Sequence, residues 1–216
     1  MIKLVILDFD GTLADTRELI VRTNQEVQRR MGYPVRDEET IAAVIGIPLK
    51  EGIQTMYPEL PEACLPQWMA AYRQVFEELR EQVFPALFPH VKETLARLRE
   101  AGVTFSVASS RTSFSLNGFL RDLGIAPYIS YVLGAEDAAK AKPHPEPVLK
   151  TLRELGFAAS DALVVGDMPV DIQMGLGAGA FTCGVSFGNS NREALLASGA
   201  HVVIDDFGDL PMTINE

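Results

Sequence analysis

Read only as hydrophobic and polar positions, the chain changes rhythm twice. Residues 2–7, IKLVIL, are a short, branched, nearly continuous apolar run, the pattern of a strand buried on both faces. From Asp15 the apolar positions fall at helical spacing through DTRELIVRTNQEVQRRMG, with an Asp15/Glu18 pair resembling a capping box and Gly32 as the stop. DEETIAAVIG and PLKEGIQTM, the second beginning at Pro48, read as two more short helices. In PEACLPQWMAAYRQVFEELREQ, Leu65, Trp68, Met69, Tyr72, Phe76 and Leu79 recur on one helical face, a packing stripe. Residues 16–84 are therefore predicted all-helical, and VFPALFPH, with Pro85 and Pro89, is read as the return linker.

After the linker, apolar runs alternate with helical stretches of about a dozen residues. VKETLARLREAG, SFSLNGFLRDLG, PEPVLKTLRELG, VDIQMGLGAG and NREALLASG read as helices; VTFSVA, YISYVLG, DALVVG, FTCGVS and HVVID read as strands. That order predicts right-handed βαβ units and an α/β fold with a Rossmann-like parallel sheet. Its core is residues 1–15 and 85–216, with the all-helical segment 16–84 inserted after the first strand.

Composition narrows the partners. Of 216 residues 47% are hydrophobic, ordinary for a globular chain, and the formal net charge is −10. So acidic a surface repels nucleic-acid phosphates and anionic lipid heads, so neither is an expected partner. A small anionic substrate then needs local positive charge or a metal. Cys64 and Cys183, far apart and without metal-like spacing, read as free thiols of a reducing compartment. With no signal-like or membrane-spanning run, a cytoplasmic location is expected, as monomer or homodimer.

The chemistry-bearing residues fall at the carboxyl ends of the predicted strands. LVIL delivers Asp8 and Asp10, FSVA delivers Ser109, Ser110 and Arg111, and LVVG delivers Asp167, with Asp171 four residues on. The loop after YVLG carries Lys142 in AKPHPEP. Strand alternation puts Asp8 and Asp10 on one side, where two carboxylates about 5 Å apart repel by roughly 3 kcal/mol at an effective dielectric near 20. A cation, a shared proton or full solvation must relieve that. Clustered carboxylates suit a hard cation such as Mg²⁺. A hydroxyl at a strand-to-helix turn and a lysine suit a phosphate, so the set fits in-line phosphoryl transfer.

DFDGTLADT, VASSRT, AKPHPEP and GDMPVD, in that order, resemble the four motifs of the haloacid dehalogenase superfamily, and the helical segment after the first resembles its helical cap. Within the superfamily the chain looks most like the phosphoglycolate phosphatase group, pyrophosphatase relatives included. The resemblance implies a Mg²⁺-dependent phosphatase acting on a small phosphorylated metabolite. In it Asp8 would be the nucleophile and form an aspartyl-phosphate, while Asp10 would protonate the leaving group and deprotonate the attacking water. Ser109 would bind the phosphate and Lys142 restrain the nucleophile's charge. Asp8, the Asp10 carbonyl and Asp167 would ligate the metal, with Asp171 ligating it or supporting its waters. Ser110, Arg111 and the cap loop's Gly46 complete the expected phosphate- and substrate-binding set. Sugar-phosphate mutases with such a cap tend to carry a hinge histidine and a cap arginine, where this chain has Ile20 and Leu49, which argues against a mutase.

Blander readings stand beside these. Ser110 competes with Ser109 as the phosphate hydroxyl, Lys140 with Lys142, and Asp171 also suits a helix cap. Met168 stands where relatives commonly have a small polar residue. His90, His144 and His201 lack metal-ligand spacing, and His144 between prolines reads as loop geometry. Gly175, Gly177 and Gly179 read as close helix–sheet packing rather than a dinucleotide loop. Arg17 and Lys50 are candidate anion contacts against a bland role as solvated surface charge, and Asp15–Arg17 and Phe84–Leu87 candidate hinges. Two readings of other classes remain, a phospho-aspartate signalling receiver and a non-catalytic binding protein.

Overall fold

The computed structural model describes residues 2–214. The chain begins with β1 (Leu4–Leu7) and a short β2 (Ala14–Asp15). Four helices follow: α1 (Arg17–Met31), α2 (Glu38–Ala42), α3 (Leu49–Met56) and α4 (Leu65–Arg80). After β3 (Ala86–Leu87) strands and helices alternate: α5 (Val91–Glu100), β4 (Thr104–Ala108), α6 (Ser113–Asp122), β5 (Ile129–Leu133) and α7 (Glu146–Leu155). Then come β6 (Ala162–Gly166), α8 (Pro169–Gly177), β7 (Phe181–Val185), α9 (Arg192–Ala197), β8 (Val202–Ile204) and α10 (Leu210–Ile214).

Six strands form one parallel sheet in the order β5-β4-β1-β6-β7-β8. Its centre explains the uninterrupted apolar run. Val5 and Leu7 face one cluster with Phe105, Val107 and Val165, while Leu4 and Ile6 face another with Val148, Val164 and Met174. All four β1 side chains are fully buried, so no polar residue can alternate with them. Strand order reverses direction at β1, and such a reversal opens a crevice beyond the strand's carboxyl end. Register sharpens this: Leu7 pairs with Val107 of β4 and Val165 of β6, so the residues just past three adjacent strands emerge side by side.

The helical cap, α1–α4, has a core of its own. Trp68 and Tyr57 are fully buried, and Tyr33 stacks edge-on to both at 4.9 and 5.5 Å between ring centroids. Leu19 of α1 and Phe76 of α4 belong instead to the main core, so the cap is packed onto the sheet domain through these helices.

Two local expectations need correction. Asp15 does not open α1: it lies in β2, and the N-cap is Thr16, which makes no side-chain capping bond because its hydroxyl donates to Asp10 Oδ1 at 2.6 Å. The expected return linker also contains a strand. Ala14 and Asp15 pair antiparallel with Leu87 and Ala86, because the chain leaves and re-enters the sheet domain side by side and its backbone groups satisfy one another. The terminal α10, which the sequence pattern did not predict, closes the main core with Leu210 and Ile214.

Candidate active site

Asp8 is the first residue after β1, with its amide tied to the Val165 carbonyl at 2.9 Å and its side chain 2% exposed. Its Oδ1 accepts from Lys142 Nζ at 2.6 Å. Its Oδ2 is buried without a hydrogen-bond partner. Lys142, from the loop between β5 and α7, also donates to Asp171 Oδ1 at 2.7 Å, whereas Lys140 is exposed. Asp171, in the first turn of α8, accepts from the Met168 amide through Oδ2 at 3.1 Å. It therefore caps its helix and joins the cluster at once, through different oxygens.

Asp167, directly after β6, is completely buried. Its Oδ2 accepts from the amide and the side chain of Asn189, at 2.7 and 2.8 Å, and its Oδ1 accepts from the Thr12 hydroxyl at 3.3 Å. Sequence reading missed Asn189 and Thr12. A Gly-Asn turn straight after an apolar strand was the available signal. Gly188 is required there, since a Cβ would lie 2.3 Å from Asp167 Cβ. Met168 is held within this cluster of contacts, its sulfur accepting from the Ser190 hydroxyl at 3.1 Å.

Three buried carboxylates thus surround one buried amine. Burial raises the Asp8 carboxyl well above its ordinary value, with Asp171, Asp167 and lastly Asp10 adding, against the pull of Lys142. Burial, then Asp171, pushes Asp167 up to about 7. Burial opposes charge on Lys142, but Asp171 and Asp8 outweigh it and raise its pKa, so it stays an ammonium. Asp8, Asp167 and Asp171 each place an oxygen within 4.8 Å of the others. An all-oxygen, electron-rich set of three buried carboxylates fits a hard divalent cation such as Mg²⁺.

Asp10 is handled separately. The apolar strand ends at Leu7 and Asp10 bridges to Ala14, so strict strand alternation does not carry through to it. Its carboxylate accepts a fork from Arg111, Nε at 2.8 and 2.9 Å and an amino nitrogen at 2.6 Å, besides the Thr16 hydroxyl. The guanidinium lies over the rings of Phe119 and Phe76, at 4.8 and 4.9 Å. The repulsion anticipated between Asp8 and Asp10 is relieved by two protein cations, one for each.

Ser109 is buried, and its Oγ accepts from the Arg111 amide at 3.2 Å. Ser110 points to the cap, donating to the Gly46 carbonyl at 2.7 Å, where φ of +90° suits glycine. A cavity of about 230 Å³ is lined by Ser109, Ser110 and Lys142 among others. A larger one, about 640 Å³, lies between cap and sheet domain and reaches Asp10, Gly46 and Arg111. Arg17 and Lys50 are paired to cap carboxylates, Glu38 at 2.8 Å and Glu62 at 3.6 Å. His144 accepts from the Glu146 amide at 3.1 Å, as loop geometry, while His90 meets Asp206 and His201 meets Thr182. Gly175 sits where a Cβ would come within 2.6 Å of Thr182, so α8 packs closely on the sheet.

A parallel sheet whose carboxyl edge gathers six charged groups beneath a helical cap is a capped α/β enzyme architecture. Residues 5–185 match the family model of haloacid dehalogenase-like hydrolases, and the chain belongs to that family. It is 35% identical over 215 residues to "Probable phosphatase IndB" of Dickeya dadantii, covering 97% of this chain and 92% of that one. It is 30% identical to a phosphoglycolate phosphatase of Yersinia pseudotuberculosis, covering 97% and 91%. A solved structure from Bacteroides fragilis, described as a haloacid dehalogenase-like hydrolase, superposes with a TM-score of 0.90 at 26% identity, covering 97% of this chain and 100% of that one. The protein is thus an enzyme of a hydrolase family whose relatives are named phosphatases. Among the described residues no helix is long and apolar enough to cross a membrane.

Proposed function

We propose that the chain is a Mg²⁺-dependent phosphatase that hydrolyses a small phosphorylated metabolite through a phosphorylated Asp8. The observation that carries this is the Asp8 carboxylate itself: Oδ1 is held by Lys142, and Oδ2 is left without a partner. A nucleophile needs one oxygen fixed and the other available.

In the first half-reaction Asp8 Oδ2 attacks phosphorus in line, and the bond from phosphorus to the ester oxygen breaks. Asp10, entering the cycle protonated in the substrate complex, delivers its proton to that oxygen and the alcohol leaves. In the second, a water loses a proton to Asp10 while its oxygen attacks phosphorus. The bond from phosphorus to Oδ2 breaks, and inorganic phosphate departs with Asp8 restored. Ser109 donates to a phosphoryl oxygen, and Arg111 with Thr16 keeps Asp10 oriented. Asp8, the Asp10 carbonyl, Asp167 and Asp171 would hold Mg²⁺, which when bound supplies charge neutralisation for carboxylates and phosphoryl oxygens. Residues 16–84 act as a lid on the core formed by 1–15 and 85–216, swinging about the β2–β3 pair and excluding water.

The test is phosphate release with Mg²⁺ from a panel of 2-phosphoglycolate, pyrophosphate, hexose phosphates and nucleoside monophosphates. Turnover of at least one compound, lost in EDTA and reduced by about 10⁴-fold or more in Asp8→Asn, is expected. Turnover that survives Asp8→Asn would overturn the assignment of the nucleophile.

A further inference from the structure

Resting on the phosphatase reading, we propose that the alcohol released is largely apolar, an aryl-bearing or long alkyl group, and that Phe114 is a specificity-determining residue for it. The two cavities at the site share Pro48, Ser110 and Ala135 in their walls, yet they differ in kind. The smaller holds Ser109 and Lys142, the groups suited to a phosphoryl dianion. The larger, about 640 Å³, is walled by Ile20, Ile45, Ile47, Tyr72, Phe76 and Phe114 among others. An ester spanning both would place its phosphorus end in the first and its leaving group in the second.

Ile20, Ile45 and Ile47 belong to none of the hydrophobic clusters among the described residues, although Ile45 is only 3% exposed. Phe114, in the first turn of α6, is 85% exposed, the most open of the large hydrophobic side chains described. A phenyl ring left in water beside a cavity made of branched aliphatic walls gains by covering an apolar ligand.

Most of the charged groups nearby are already paired. Asp10 and Arg111 neutralise each other, Lys50 is 3.6 Å from Glu62, and the Ser110 hydroxyl is used on Gly46. Glu77, also in the wall, lies 3.7 Å from Arg80, which leaves the exposed Arg73 and the unpartnered Oδ1 of Asn24 among the few polar groups open to a ligand. A second carboxylate, as in 2-phosphoglycolate, or the hydroxyls of a hexose would be buried against isoleucines with few partners, an arrangement that costs binding energy. The volume also lies within the roughly 300–1,000 Å³ that holds drug-sized ligands, far beyond what a glycolate fills.

The test compares kcat/KM with Mg²⁺ for naphthylmethyl phosphate, octyl phosphate, glycerol 3-phosphate and 2-phosphoglycolate. All are alkyl esters, so an activated phenol does not set the order. Naphthylmethyl phosphate should exceed 2-phosphoglycolate by at least about tenfold, and Phe114→Ala should cut that ratio several-fold through KM. Because Phe114 is exposed, its truncation leaves the core intact; Ile47→Trp, filling the cavity, should raise KM for the same ester. Preference for glycerol 3-phosphate or 2-phosphoglycolate, or a ratio untouched by both variants, overturns the inference while leaving a phosphatase. Calorimetry of naphthylmethylphosphonate on Asp8→Asn separates the two readings. Binding weakened by Phe114→Ala in the same background, with no ester hydrolysed by the native protein, sinks the phosphatase reading and upholds the cavity's preference.

Discussion

Asn189 illustrates how a single side chain outside the motifs governs the cluster. Its two N–H groups hold Asp167 towards the ionised form against burial and Asp171. Asn189→Ala removes one donor and lets protons compete better with the metal. Mg²⁺ affinity should fall about 10–100-fold near neutrality, and by less at pH 8.5 than at pH 6.5, by calorimetry. An equal loss at both would place the effect elsewhere. Lys142 is the opposite case, a residue singled out from the neighbouring Lys140 in the sequence because it alone precedes Pro143. It is 3% exposed between Asp8 and Asp171, so Lys142→Ala leaves buried carboxylates uncompensated. We expect a stability loss of about 3–5 kcal/mol in urea, together with loss of turnover. Which oxygens Lys142 would bond was not legible, since that depends on a loop 134 residues away from Asp8 in the chain.

At the scale of elements, helix and strand order followed the hydrophobic rhythm closely, because the central strands β1, β4, β6 and β7 are largely buried on both faces and most helices show one apolar stripe. What failed were places where backbone pairing depends on distant partners. The β2–β3 ribbon joins residues about seventy positions apart, so no local period announces it. Thr16, not Asp15, is the N-cap of α1 because Asp15 is held in that ribbon, and the Thr16 hydroxyl goes to Asp10 instead of to the helix. The turn after β1 is equally constrained: Gly11 has φ +82°, and a Cβ there would lie 2.2 Å from Asp167 Oδ2. Gly11→Ala should therefore displace Asp167 and impose left-handed strain of about 1–2 kcal/mol. A far-UV circular dichroism spectrum close to native, with Mg²⁺ binding and turnover lost, is the expected pair of results. Retained metal affinity would show that the loop relaxes without disturbing the carboxylate.

Across the whole molecule, the buried carboxylates set metal-free stability, which protonation favours, against metal binding, which it opposes. Asp167 titrates near 7 in the folded chain, above its ordinary carboxylate value of 3.8. Between those values the folded state binds more protons than the unfolded, so metal-free stability falls as pH rises through the folded pKa. Mg²⁺, binding the ionised form, would reverse the trend. Without metal the Tm should be lower at pH 8 than at pH 5.5; the increase produced by Mg²⁺ should be larger at pH 8. Asp167→Asn should flatten the metal-free profile. A metal-free Tm that rises steadily from pH 5.5 to 8 would contradict this picture.

By itself the sequence determined the parallel α/β core, the helical insertion and the residue types at the strand ends. Those depend on local periodicity and on the rule that parallel strands share one carboxyl edge. Tertiary structure alone decided that Asp8 and Asp10 have separate cations, that Asn189 and Thr12 hold Asp167, and that Ile20 and Phe114 face one cavity. These are contacts between groups far apart in the chain, and only the packing of the cap on the sheet brings them within a few ångströms.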